Sequence, residues 1–248
     1  MTTKVDRRAM LIAGGGAIGA AALAIAKGGS AQAPASGGNP LPNFGERIPV
    51  AFVMGEGSTM IDFAGPWEVF QDTGGAGVPG FYLYTVSDSR EPRNTTGNFL
   101  DGKPGGMRFI PDFTYADAPQ PKVIMMGAQG QHTPAKIAWI RHASVAADFV
   151  YSNCTGAFLL AKTGLLDDLS ATTHHDFFDS FEKQFPKVKL VRDARYVDNG
   201  KVITSGGLTS GIDGALHIVD RIYGREVAQK VVKYMEYSGD GWSTRTRY

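Results

Sequence analysis

The chain has 248 residues, 43% of them hydrophobic, and 25 Lys and Arg against 24 Asp and Glu give a net charge of +1. That size and balance suit one sizeable domain and carry no basic footprint for a nucleic-acid partner. A single cysteine excludes an intramolecular disulfide and leaves that residue as a small buried hydrophobe or a nucleophile.

Residues 1–33 have the order of a signal peptide. Arg7-Arg8 closes a basic stretch, residues 10–26 are uncharged and rich in Ala and Gly, and the small residues 28–33 follow Lys27. The paired arginines and weakly apolar run resemble a twin-arginine (Tat) signal, with Met10 and Leu11 where that motif prefers Phe and Leu, and Asp6 where it prefers Ser or Thr. Cleavage is expected after Ala31 or Ala33, the second made awkward by Pro34. The alternative is an uncleaved anchor, but a run of about 17 residues is at the short end for a bilayer. Residues 34–43 have the composition of a flexible linker, so the folded domain is expected over 44–248. The expected location is periplasmic or otherwise extracytoplasmic, with membrane contact through the signal peptide during export.

Residues 48–54 are an apolar run ended by Gly55 and Gly57, which reads as a buried strand. Gly65-Pro66 ahead of Trp67-Glu68-Val69-Phe70 predicts a helix with Pro66 in its first turn. Residues 81–87 alternate as a strand, and the polar, Gly-rich 88–106 reads as a long loop or hairpin insertion. Residues 123–126 form a further buried strand ended by Gly127, and 134–147 a helix. A strand over 149–152 and an apolar helix over 155–166 follow, then a helix over 172–185 and a strand over 202–204. Residues 210–223 and 225–237 read as two amphipathic helices separated near Gly224. Strands alternating with helices, several of them apolar throughout, predict an α/β fold with a mainly parallel sheet covered on both faces. Such sheets place active sites at the carboxyl ends of strands, near a topological switch point.

Cys154 falls between the strand at 149–152 and the helix that follows. Its side chain would stand on a tight, strained turn, as in a nucleophile elbow. Helix N–H groups and the dipole would favour thiolate, predicting a pKa below the free value of about 8.5. Gly156 leaves room for close backbone approach. A buried core cysteine is the plain alternative.

Asp62-Phe63-Ala64-Gly65-Pro66-Trp67-Glu68-Val69-Phe70 resembles the D-x-x-G-P-x-E-V-F stretch of the ThiJ/PfpI superfamily. Cys154-Thr155-Gly156-Ala157-Phe158-Leu159-Leu160 resembles its cysteine elbow, and Ala171-Thr172-Thr173-His174 and Gly206-Gly207-Leu208-Thr209-Ser210-Gly211-Ile212-Asp213 complete the order. Within that superfamily the Cys154-Thr155 pair is similar to isonitrile hydratases and to the sensor domains of AraC-type regulators; the protease branch has His after the cysteine. The resemblance implies a flavodoxin-like three-layer sandwich, a homodimer, and an acidic residue near the sulfur at the position of Asp62. It implies a catalytic set of Cys154, Asp62 and Thr155, and a substrate pocket with Gly65, Gly127, Ala128, Gly156 and His174. Asp62 could instead cap or brace a loop, and Thr155 could cap its helix. Where the family has Pro-Gly-Gly this chain has Gly127-Ala128-Gln129-Gly130-Gln131, which alters the expected oxyanion donors.

No metal and no organic cofactor is expected. His174-His175-Asp176 is a tempting ligand set, but neighbouring histidines are expected to diverge, favouring a structural helix start. The reaction implied is hydration of an isonitrile to an N-substituted formamide. One alternative is an extracytoplasmic small-molecule sensor module without the regulators' DNA-binding part, since the stretch past the last helix is too short for one. Another is a glyoxalase- or deglycase-type aldehyde enzyme, whose acid is usually Glu. The partners expected are a small-molecule substrate and a second copy of the chain.

Overall fold

The first buried run is a strand, β1 (Ile48–Val53), in a computed structural model that describes residues 43–97 and 105–243. The signal peptide at 1–33 and the linker up to residue 42 lie outside the described residues. Helix α1 (Met60–Thr73) starts after an extended Thr59, six residues ahead of Pro66. Pro66 is thus inside the helix and not in its first turn. A mid-helix proline forfeits a hydrogen bond, but Phe63, Val69 and Phe70 bury their side chains on the sheet, each worth about 1.5–3 kcal/mol. The earlier start also puts Asp62 in the first helical turn.

Strand β2 (Phe81–Ser87) follows. The polar insertion contains a hairpin, β3 (Arg93–Asn94) antiparallel to β4 (Arg108–Phe109). Then come β5 (Phe113–Thr114), β6 (Val123–Met126), α2 (Pro134–Ser144), β7 (Phe149–Asn153) and α3 (Gly156–Lys162). Helix α3 stops short of the expected 166 because Gly164 takes φ +79° and turns the chain away. Strand β8 (Ser170–Ala171) pairs with β9 (Lys189–Leu190) across α4 (Phe178–Gln184), and residues 172–174, expected helical, lie ahead of a 3-10 turn at His175–Phe177. Strands β10 (Tyr196–Asp198) and β11 (Val202–Ser205) precede α5 (Ser210–Tyr223) and α6 (Arg225–Tyr234), which meet at Gly224.

The seven-stranded sheet has the order β10-β11-β7-β6-β1-β2-β5, parallel throughout except for the β10–β11 pair. Alternate residues of β1 feed two cores. Val50 and Phe52 pack with α1, α5 and α6, whereas Ala51 and Val53 pack with α2, α3 and α4. The fold is therefore the expected three-layer, flavodoxin-like α/β sandwich. From β1 the chain crosses to β2 on one side and later to β6 on the other. The carboxyl ends of β1 and β6 flank this switch point, which brings the start of α1 against the loop after β6. Among the described residues no helix is long and apolar enough to cross a membrane.

Candidate active site

Cys154 stands between the end of β7 and α3 with φ +58°, a left-handed conformation unusual for a side-chain-bearing residue. Such a residue costs about 1–3 kcal/mol unless its surroundings hold it. Here its N–H donates to Gly206 O at 2.8 Å and to Ser205 O at 3.2 Å, and its carbonyl accepts from Thr173 Oγ1 at 2.9 Å. The elbow predicted from the strand-to-helix position is present, and Cys154 is 5% exposed.

Asp62 is fully buried and hydrogen-bonded to the thiol. It does not cap α1. Its Oδ2 accepts from Ala128 N at 2.8 Å and its Oδ1 from Asn153 Nδ2 at 3.2 Å. Burial outweighs these donors and raises the carboxyl from 3.8 to about 7. The thiol is raised to about 12 by burial and by the Asp62 charge, against the N–H groups of Leu208 and Thr155 that donate to the sulfur. This corrects the expectation of a lowered thiol pKa: two backbone donors cannot offset desolvation plus an anion in contact. The two groups titrate as a pair, and above about pH 7 one proton remains on it, with S–H donating to carboxylate.

Thr155 precedes α3 without a side-chain cap, so its hydroxyl is not used in capping. Gly127 and Gly156 act through closeness. A Cβ on Gly127 would stand 2.6 Å from Asp62 Cβ, and one on Gly156 2.5 Å from Met126 O, so both glycines let the acid, the β6 loop and α3 meet. Two of the loop's N–H groups are engaged within the protein, Ala128 N by Asp62 Oδ2 and Gly130 N by Glu56 O. Leu208 and Thr155 supply backbone donors at the sulfur. Gly65 lets α1 approach α5 closely: a Cβ there would meet Ile212 Cγ1 at 2.9 Å.

His174 lies against Gly207, where a Cβ would come 2.3 Å from its Cδ2, and its Nδ1 accepts from Asp176 N to start the 3-10 turn. Contrary to expectation, His174 and His175 do not diverge; their rings stack at 4.5 Å and 20°. With Asp176 they offer three ligand atoms within 4.8 Å of one another, though His175 and Asp176 are exposed.

Two site residues were not anticipated. Leu208, with φ +52°, gives its N–H to the sulfur, and the preceding Gly206-Gly207 pair was the signal for a tight turn there. Asn153 ends β7, one residue past the expected strand at 149–152, and an amide directly beside the nucleophile was itself a signal.

The sequence model of the DJ-1/PfpI family matches residues 49–221. Isonitrile hydratase of Pseudomonas putida is 28% identical over 199 residues, 77% of this chain and 79% of that protein. The fold superposes on a ThiJ/PfpI family protein from Pseudomonas syringae with a TM-score of 0.65 and 23% identity, covering 81% of this chain and 83% of the other. An AraC family transcriptional regulator from Pseudomonas putida matches with a TM-score of 0.64 and 16% identity over 76% of this chain and 99% of its own.

Proposed function

The chain belongs to the DJ-1/PfpI family, and on that premise we propose that it is a cofactor-independent cysteine enzyme that hydrates an isonitrile to an N-substituted formamide. The carrying observation is the buried Asp62–Cys154 pair, which holds one proton between an acid near 7 and a nucleophile. An isonitrile carbon must gain a nucleophile and a proton together. Asp62 carboxylate takes the S–H proton as sulfur adds to that carbon, and returns it to the same carbon, giving a thioimidate. Water then adds to that carbon as Asp62 takes one of its protons and passes it to the nitrogen, and the C–S bond breaks as the remaining hydroxyl proton passes through Asp62 to sulfur, releasing formamide and restoring the thiol. Backbone N–H groups of Thr155 and Leu208 and the uncapped Thr155 hydroxyl hold the intermediate. The side chain of Leu208, 41% exposed, offers an apolar rest for the isonitrile substituent.

The test is formamide release from small aliphatic and cyclohexyl isonitriles. Cys154→Ala is inactive and Asp62→Asn is slowed by about 10²–10⁴-fold, the usual cost of losing an acid–base group. Wild-type turnover no greater than that of Cys154→Ala across the panel refutes the reading. A binding module is the second reading, favoured by the likeness to an AraC-type regulator and by the scant exposure of the sulfur; it predicts saturable ligand binding without turnover. Export and pairing of two copies complete the proposal. Replacing Arg7 and Arg8 by Lys leaves the protein in the cytoplasm if the pair is the export signal, and sedimentation of the exported form gives a dimer.

A further inference from the structure

Asn153 is fully buried at the end of β7, between the acid and the loop that faces the sulfur. Its Nδ2 donates to Asp62 Oδ1 at 3.2 Å and to Leu208 O at 2.9 Å, and its Oδ1 accepts from Ser205 Oγ at 2.8 Å. Ser205 Oγ lies 2.7 Å from Tyr151 OH, which also reaches Gly211 O at 2.9 Å. The amide has a direction: the Leu208 carbonyl only accepts, so the Asn153 nitrogen faces it, and the Asn153 oxygen accepts from Ser205 on the other side. The second N–H of the same nitrogen is thereby held on Asp62 Oδ1. A Cβ on Gly211 would come 2.5 Å from Asn153 Nδ2, so α5 packs directly against the amide with no room for a side chain between them.

We propose that Asn153 is a positioning residue that sets where the shared proton of Asp62 and Cys154 resides, by holding a fixed N–H on the carboxylate and tying the Leu208 turn to it. The proposal rests on the Asp62–Cys154 pair acting as acid and nucleophile. A donor to the ionised form favours ionisation, so Asn153 keeps Asp62 available as a base near neutral pH despite its burial. By holding Leu208 O, the same amide fixes the peptide turn whose N–H reaches the sulfur. The titratable groups facing this network are Cys154 on Asp62 itself, Tyr151 from β7 and, beyond it, Asp213 of α5, whose charge Arg195 pairs. His174 lies across Gly207. None of these donates a second N–H to Asp62 Oδ1 among the described contacts.

The experiment needs no substrate. Cys154 is the single cysteine, so iodoacetamide alkylation of the full chain against pH reports this site alone. Ionised Asp62 accepts the S–H proton, so the wild-type rate rises through the acid's midpoint near neutral pH, and Asp62→Asn abolishes that limb. Asn153→Leu keeps the volume but removes the donor and moves the limb's midpoint up by about one pH unit, since a hydrogen bond to a charged group is worth about that much. Ser205→Ala frees the amide without touching Asp62, and moves it in the same direction by less. An unchanged or lowered midpoint in a folded Asn153→Leu overturns the proposal; if that variant does not fold, an unchanged or lowered midpoint in Ser205→Ala does. Absence of isonitrile turnover leaves this readout intact, so the two readings fail separately.

Discussion

Replacing Asp62 by Asn should make the protein indifferent to a pH range in which the wild type weakens. Burial keeps the Asp62 carboxyl protonated to about 7 against an ordinary 3.8. Each tenfold change in proton affinity is about 1.4 kcal/mol, so the ionised group costs the fold on the order of 4 kcal/mol at pH 8. Between about pH 4 and 7 the folded protein holds a proton that the unfolded chain has released, so stability falls as pH rises through that window. In Asp62→Asn the new amide cannot accept from both Ala128 N and Asn153 Nδ2, and the variant starts about 1–2 kcal/mol less stable at low pH. It then loses nothing as the pH rises, and the two curves converge or cross. Urea unfolding at pH 5 and pH 8 should show the wild type losing about 3 kcal/mol relative to the variant, a relative midpoint shift of about 1–3 M. Parallel pH dependences would refute the claim that Asp62 is held protonated by burial.

The Cys154 thiol should ionise above the ordinary free value, and Asp62→Asn should bring its midpoint down, because the adjacent charge is among the forces raising it; thiolate absorbance near 240 nm reads both, and a wild-type midpoint below the free value contradicts this. Gly156→Ala sets a Cβ 2.5 Å from Met126 O and 3.1 Å from Gly127 Cα, backbone that cannot step aside cheaply, so it should cost about 1–3 kcal/mol in urea unfolding. Asp213, 1% exposed, accepts from Arg195, from Tyr237 OH at 3.2 Å and from Trp242 N at 2.9 Å. Asp213→Ala should lose about 2–4 kcal/mol and open residues 237–243 to limited proteolysis, which an unchanged cleavage pattern would contradict.

The sheet was legible wherever a strand is long and apolar enough to announce itself. Residues 50–53, 123–126 and 149–153 are continuous buried runs, and a run of that kind has few places to go except the centre of a parallel sheet. Strands β5, β8 and β9 have two residues each, too few for any period to register. Pro66 misplaced the start of α1 because local preference for a first-turn proline yields to the burial of Phe63, Val69 and Phe70.

The sequence by itself determined the alternating α/β plan, the elbow at Cys154 and the pairing of that cysteine with Asp62 through the family pattern. Those are local signals: glycine-ended apolar runs, and a reactive residue between a strand and a helix. The tertiary structure decided where the proton lies. Asp62 meets a backbone N–H 66 residues away and an amide 91 residues away, and its carboxyl is fully buried. Desolvation and hydrogen bonding act through space, and no spacing along the chain reports them. For the same reason the helix terminus that promised a thiolate was outweighed by the anion and the burial that folding brought to the sulfur.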